Sequence, residues 1–161
     1  MNRPVASLGG SQLTRLEYRL LDDRGQYPVL YYYQNIDETE IAARFACDYF
    51  VKDAVVYERQ SCAMEPLTYV VYVKKSQEVE NDNTAEQHRK DIRIEIRHFR
   101  TEAEVYPLLF TYVVKQNKEA LLYLQCDYFI WSGREWQKTS AELDEDRMVY
   151  VIYAKPVEVN D

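Results

Sequence analysis

The sequence predicts an α+β fold made of a duplicated ββαββ unit, with two antiparallel sheets that each carry one helix and pack about a pseudo-two-fold axis. The first observation behind this prediction is an internal repeat, because nine of 24 positions are identical between residues 27–50 and 106–129. The second is that each copy alternates apolar and polar residues with a period of two on both sides of a helical stripe. Since one copy alone buries little surface, we expect both copies to form one bilobed domain.

The limits of the repeat predict the organisation of the chain. An N-terminal tail covers residues 1–13, and the first copy covers residues 14–75. A polar, mostly acidic linker covers residues 76–91, and the second copy covers residues 92–157. The residue-number offset between the two copies changes by one or two from segment to segment, which is typical of insertions in loops.

The strands of the two copies are predicted in the same order. In the first copy, alternating or β-rich segments predict strands at 15–20, 27–33, 54–60 and 68–74. In the second copy, the corresponding strands are predicted at 91–99, 106–112, 134–139 and 148–154. Proline stands at the start of the second strand in both copies, at Pro28 and Pro107, where a missing N–H donor does least harm.

One helix is predicted between the second and third strands of each copy. In the first copy, Asp37 and Glu40 have the spacing of a helix start, and Ile41, Phe45 and Tyr49 recur at helical intervals. In the second copy, the stripe is formed by Ala120, Leu121, Leu124 and Tyr128. Both stripes run through an identical Cys-Asp-Tyr-Phe segment, which is therefore predicted to lie on the helix.

Composition excludes several classes of function. The 27 acidic and 20 basic residues leave a net charge of −7, which argues against a protein that binds duplex nucleic acid. The sequence lacks the glycine-rich strings of nucleotide-binding loops, and no metal or cofactor is predicted. No apolar run is long enough for a membrane span, and three cysteines without a Cys-x-x-Cys pair predict a reducing, cytoplasmic location.

Repeated arginines form the first candidate site. Arg15 and Arg19 flank a glutamate in the first copy, and Arg93 and Arg97 flank another in the second. A period of two places each trio on one face of a strand. The pattern is typical of a charged edge strand, but four guanidinium groups that converge between the copies would bind a small anionic ligand.

The Cys-Asp-Tyr-Phe segments provide the second candidate site. Cys47 and Cys126 are expected to fill gaps in the core, although two thiols near the axis would be redox-active or bind a metal. Asp48 and Asp127 are expected on the polar side of their helices, and as a facing pair they would suit acid–base chemistry or ligand binding.

Aromatic residues provide the third candidate site, an interaction surface. The chain has 15 tyrosines, many of which pair between the copies and are expected in the core. Tyr31 and Tyr32 have no tyrosine at the corresponding position of the other copy, and Trp131 could lie either in the core or on the surface. These three residues are therefore candidates for contact with a protein.

These observations favour a non-catalytic module that binds a protein partner in regulation or assembly, acting as a monomer or a homodimer. The first alternative is a small anionic-ligand-binding protein with its site between the copies. The second is an enzyme that uses Asp48 with Asp127, or Cys47 with Cys126.

Overall fold

The computed structural model describes residues 14–77, 91–101 and 105–159, which form an α+β structure with ten strands in one mixed sheet and two helices. The strands are β1 (Arg15–Leu20), β2 (Val29–Gln34), β3 (Tyr49–Lys52), β4 (Val55–Glu65), β5 (Thr68–Lys75), β6 (Ile92–His98), β7 (Leu108–Val114), β8 (Tyr128–Trp131), β9 (Arg134–Asp144) and β10 (Val149–Pro156). The helices are α1 (Glu38–Phe45) and α2 (Asn117–Gln125). The predicted tail, 1–13, and residues 78–90 of the predicted linker lie outside the described residues.

One mixed sheet replaces the two antiparallel sheets predicted from sequence. Its strand order is β2-β1-β5-β4-β3-β9-β10-β6-β7, and β8 also pairs with β9. β3 of the first half runs parallel to β9 of the second, with Tyr49 opposite Glu142 and Val51 opposite Asp144. The sequence prediction omitted β3 and β8, and β3 is the strand that joins the halves.

The helices are shorter than the predicted stripes. α1 begins at the predicted cap, since the Asp37 carboxylate accepts a backbone N–H from the first turn. The helix ends at Phe45, and Tyr49 is the first residue of β3. The chain leaves the helix because the Asp48 N–H donates to the carbonyl of Ala141 in β9 at 2.8 Å. Each half therefore has the element order ββαβββ, not the predicted ββαββ.

The strand order is the same in both halves. It reads β2-β1-β5-β4-β3 in the first half and β7-β6-β10-β9-β8 in the second. Positions about 79 residues apart therefore occupy corresponding places, and their environments can be compared directly.

The core lies between the two helices and one face of the sheet. Side chains from both halves belong to one cluster there, including Leu16, Tyr18, Phe50, Ile94, Leu124, Trp136 and Ile152. α1 and α2 also contact each other. Burial of each such side chain stabilises the fold by about 1.5–3 kcal/mol, so the shared cluster couples the halves.

The helix-free face carries a buried ion-pair triad in the second half. Arg147 donates through Nη1 to Glu95 at 2.7 Å and through Nε to Asp144 at 2.8 Å. Burial raises the pKa of Glu95, but Arg147 and Arg97 outweigh burial and hold that pKa below its usual value. The triad ties the β9–β10 turn to β6.

Candidate interaction surface

The two identical Cys-Asp-Tyr-Phe segments have opposite environments. In the first half, Cys47 is buried, and Val51 just beyond the segment is 2% exposed. In the second half, Cys126 is exposed, and Ile130 at the position of Val51 is 71% exposed. Because the local sequences are the same, the difference arises from what packs against each segment.

The difference follows from the partners of β3 and β8. β3 pairs with β4 at one edge and with β9 at the other, whereas β8 pairs only with β9 among the strands that the structure describes. Asp48 clamps the second edge of β3, since its carboxylate accepts the N–H of Ala141 at 2.9 Å. In the second half, the backbone carbonyl of Asp127 accepts the N–H of Lys138 at 2.8 Å, and this is the hydrogen bond that the described residues show for Asp127. Among the described residues, the outer edge of β8 therefore has no strand partner.

Two acidic residues in the β9–β10 turn secure the first half. The turn covers residues 145–148, whereas the corresponding β4–β5 turn covers only residues 66–67. Asp146 accepts the backbone N–H groups of Asp53 and Ala54 at 2.8 and 2.9 Å. Glu145 reaches a cluster of polar side chains on the first half, described next.

The Glu145 carboxylate lies among two cations and a tyrosine. It accepts from the Tyr33 hydroxyl at 2.5 Å, from Nη1 of Arg44 at 3.2 Å and from Nζ of Lys52 at 2.8 Å. Burial raises the pKa of Glu145, but Arg44, Lys52 and the Tyr33 hydroxyl outweigh burial and hold it below its usual value. Burial and the carboxylate together raise the pKa of Tyr33, so its hydroxyl remains a donor. We call these four residues the junction cluster.

Aromatic residues occupy the corresponding places in the second half. Tyr112, Tyr123 and Trp131 stand where the first half has Tyr33, Arg44 and Lys52. The Tyr112 and Tyr123 rings lie 4.9 Å apart, and the Trp131 ring stacks on the ring of Phe110 in β7 at 5.5 Å. No acidic turn corresponding to the β9–β10 turn covers these rings in the described part of the chain, because the β4–β5 turn lacks the two additional residues.

Exposed apolar side chains lie on β8 and on the helix that precedes it. We call Leu122, Tyr123, Tyr128 and Ile130 the β8 edge patch, since all four are exposed on these two elements. Strand alternation places Tyr128 and Ile130 on the helix-free face, while Leu122 and Tyr123 belong to α2. Exposed apolar side chains beside an unpaired strand edge are typical of a protein-binding site.

The structure does not bring the four predicted arginines together. Arg15 and Arg19 lie on β1, whereas Arg93 and Arg97 lie on β6, with five strands between them. Six strand spacings correspond to about 29 Å across the sheet. Arg19 binds the carboxylate of Glu17 in its own trio at 3.1 Å and that of Glu65, the last residue of β4, at 2.8 Å.

Asp48 and Asp127 likewise lie apart. Both attach to β9, through Ala141 and Lys138 respectively, and these attachment points are three residues or about 10 Å apart along the strand. Neither lies on a helix, because both helices end before the segment. Asp48 acts as a clamp between strands, which is a structural role.

The predicted aromatic candidates fall on separate surfaces. Tyr31 is half-buried and donates to Asp53 at 3.1 Å, and Tyr32 is exposed beneath Arg15 at 4.2 Å from its ring. Both lie on β2 at one end of the sheet, whereas Trp131 lies on β8 beside the patch.

The buried thiol is unsuited to nucleophilic chemistry. Cys47 donates to the carbonyl of Ala43 at 3.3 Å, and burial together with nearby Asp48 raises its pKa. The thiolate is the reactive form, so a raised pKa suppresses reactivity. Over residues 14–77, 91–101 and 105–159, no three His, Cys, Asp or Glu side chains come together as a metal site.

The junction cluster and the β8 edge patch were both missed from sequence. A signal was present, because the repeat changes from a cation to an aromatic residue at Arg44/Tyr123 and at Lys52/Trp131. The shift of the repeat between β4–β5 and β9–β10 also marks the two additional turn residues that carry Glu145.

A cavity of about 210 Å³ lies between the halves, lined by Glu40, Arg44, Asp91, Ile92, Asn117, Leu143, Met148 and Tyr150. Arg44 is buried, and its Nε has no hydrogen-bond partner among the described residues. Buried polar atoms are normally satisfied, so this atom is a candidate donor to a small bound molecule or to water.

Comparisons with known proteins leave the family open. No protein-family model, curated protein or solved structure matches the chain. Neither of the two described helices has the length and apolar character needed to cross a membrane.

Proposed function

We propose that this chain is a non-catalytic protein-interaction module, and that the β8 edge patch is its binding surface. The observation that carries the proposal is the contrast between Val51 and Ile130, which occupy corresponding strands at 2% and 71% exposure. The first half supports the proposal, because β3, the strand that corresponds to β8, is covered there by β9 and by the β9–β10 turn.

A partner that adds a strand to β8 gains from two sources. Backbone groups along the open edge supply main-chain hydrogen bonds, which give affinity with little dependence on sequence. The exposed apolar side chains add specificity, because burial of Ile130 or Leu122 contributes about 1.5–3 kcal/mol each.

The three free thiols support a reducing compartment, and we infer a cytoplasmic location.

The test is site-specific photo-crosslinking in the expressing cell. A photoreactive amino acid replaces Ile130 in one variant and Val29, an exposed residue of the distant strand β2, in the matched control. We expect protein cross-links from position 130 and few from position 29. Equal yields at both positions, or no cross-link at position 130, would contradict the proposal.

A second candidate function is the binding of a small molecule in the cavity between the halves. The buried Arg44 Nε favours it, while Glu40 and Asp91 in the same lining favour an uncharged or zwitterionic ligand over an anionic one. Native mass spectrometry of the purified chain tests it. Bound mass that disappears in Met148→Trp, but persists in Leu67→Trp at the corresponding position of the other half, would support this site.

A further inference from the structure

We propose that the cavity between the halves binds a small α-amino acid with an aliphatic side chain. This inference rests on the second candidate function, because it names the class of ligand for the same cavity. Three features of the lining carry it: a buried donor without a partner among the described residues, two carboxylates, and an apolar surface.

The buried donor is Nε of Arg44. The terminal nitrogens of this side chain are already engaged, since Nη1 donates to Glu145 and Nη2 donates to Glu40. The guanidinium group also lies over the ring of Tyr33, with 4.5 Å between its central carbon and the ring centroid. These contacts hold the side chain in place. Among the described residues, Nε is therefore the nitrogen left for an acceptor that enters the cavity.

The N-terminus of α2 lies beside the same cavity. Asn117, the first residue of the helix, is half-buried and belongs to the lining. The Asp37 side chain caps α1, whereas Gln116 makes no such hydrogen bond at the start of α2. The N–H groups of an uncapped first turn attract a carboxylate. A ligand carboxylate that accepts from Arg44 can therefore gain from α2 as well.

The two carboxylates of the lining favour a ligand that also carries an ammonium group. Glu40 and Glu145 already balance the charge of Arg44, and Asp91 adds a further carboxylate at the exposed rim. A ligand with a negative group alone would therefore meet a net negative lining. Oε1 of Glu40 lies 3.2 Å from Nη2 of Arg44, so an acceptor and a donor of the site are adjacent. The ammonium and carboxylate groups of an α-amino acid are joined through one carbon, which matches this short spacing.

The volume and the apolar part of the lining limit the side chain of the ligand. A cavity of about 150 Å³ is large enough for benzene, so about 210 Å³ leaves room for about eight or nine non-hydrogen atoms. Leu143 and Tyr150 are buried in the lining, and Met148 lies at its rim, 43% exposed. An aliphatic side chain would bury apolar surface against these residues. L-Leucine, L-isoleucine and L-valine have about the required size.

The first half has a corresponding cavity that serves as an internal control. Leu67 and Tyr69 line this second cavity, also of about 210 Å³, at the positions of Met148 and Tyr150. Among the described residues, its lining contains no arginine or lysine, and the position of Arg44 is occupied by Tyr123 in α2. The proposed ligand is therefore expected in one of the two cavities and not in the other.

The test is isothermal titration calorimetry of the purified, dialysed chain with L-leucine, L-isoleucine and L-valine. We expect the tightest of the three to bind with a dissociation constant below about 1 mM. Its amine without the carboxylate and its acid without the ammonium group should each bind at least about tenfold more weakly. For L-leucine, these two analogues are 3-methylbutan-1-amine and 4-methylpentanoate, and their use requires no change in the protein.

Two pairs of variants locate the binding. Met148→Trp should fill the cavity and abolish binding, whereas Leu67→Trp should leave it unchanged, and both positions have a positive φ, so that backbone strain is matched. Glu40→Gln removes a partner of the ammonium group and should weaken binding at least about tenfold. Glu119→Gln, at the corresponding position of α2, should change binding by less than about twofold. Equal effects of the two members of either pair overturn the assignment.

The remaining outcomes separate this inference from the second candidate function. If none of the three amino acids binds, or if either analogue binds as tightly as its amino acid, the proposed ligand class is overturned. If native mass spectrometry nevertheless finds a bound mass that Met148→Trp removes, the second candidate function survives with a different ligand. If there is neither a bound mass nor amino-acid binding, both proposals for the cavity fail.

Discussion

Removal of the Glu145 carboxylate tests the junction cluster most directly. Glu145→Ala deletes the acceptor shared by Tyr33, Arg44 and Lys52, and leaves Arg44, 4% exposed, with Glu40 at 3.2 Å as its remaining carboxylate. Breaking a buried ion pair by removing one partner costs about 3–5 kcal/mol. Because Lys52 is partly exposed and Glu40 still neutralises Arg44, we expect the lower end, about 3 kcal/mol.

The assay is equilibrium unfolding in urea at neutral pH, with the midpoint and slope fitted separately. Glu135→Ala is the control, since it removes an exposed carboxylate from β9 and should change the free energy of unfolding by less than about 0.5 kcal/mol. Glu145→Gln preserves the shape of the side chain and should fall between the two. A loss below about 1 kcal/mol for Glu145→Ala would refute the view that this carboxylate holds the halves together.

The pH dependence of stability gives an independent check on the same carboxylate. The pKa of Glu145 is lowered in the folded protein, so its contribution is complete above the unfolded pKa of about 4.3. The contribution is lost as the pH falls through the lower folded-state value. The wild type should therefore lose stability over this acidic window more steeply than Glu145→Gln, and parallel curves would contradict the cluster geometry.

Three further predictions concern other parts of the molecule. A thiol reagent should label Cys126 rapidly and Cys47 only after unfolding, as peptide mass mapping would show; fast labelling of Cys47 would contradict its burial. Asp48→Ala should destabilise the fold by about 1–2 kcal/mol in urea and Asp127→Ala by much less, and equal losses would refute the clamp. Arg147→Ala removes the cation shared by two buried carboxylates, leaves Glu95 with Arg97 alone and should cost about 3 kcal/mol; a loss under about 1 kcal/mol would contradict a stabilising role for the triad.

Strand patterns were the part of the fold that sequence reasoning predicted best. The alternation in 15–20 and 91–99 anticipated β1 and β6, because one face of each strand packs in the core while the other carries charge. The start of α1 was also predicted, since the Asp37 cap depends only on neighbouring residues. These features are local, and local chemistry is sufficient to specify them.

The joined sheet and the length of the helices could not be predicted in the same way. Tyr49 continues the helical spacing of Ile41 and Phe45, yet it lies in a strand because Asp48 bonds to Ala141, more than 90 residues along the chain. The candidate arginines failed to converge for a related reason. The sequence placed Arg15 and Arg93 on similar strands, but only the strand order puts those strands on opposite sides of the sheet.

The two Cys-Asp-Tyr-Phe segments show how the same local sequence can acquire two different environments. The segment itself forms the same turn and strand in both halves, so its burial depends on the hairpin that reaches it. Two additional residues, Glu145 and Asp146, let the β9–β10 turn reach the first half, and the receiving surface there is basic. The second half has a shorter turn opposite it and has lost the cations. The change in turn length and the change in surface chemistry therefore occur together. Without an acidic turn to pair with them, cations at these positions would contribute nothing to stability, and aromatic residues take their place.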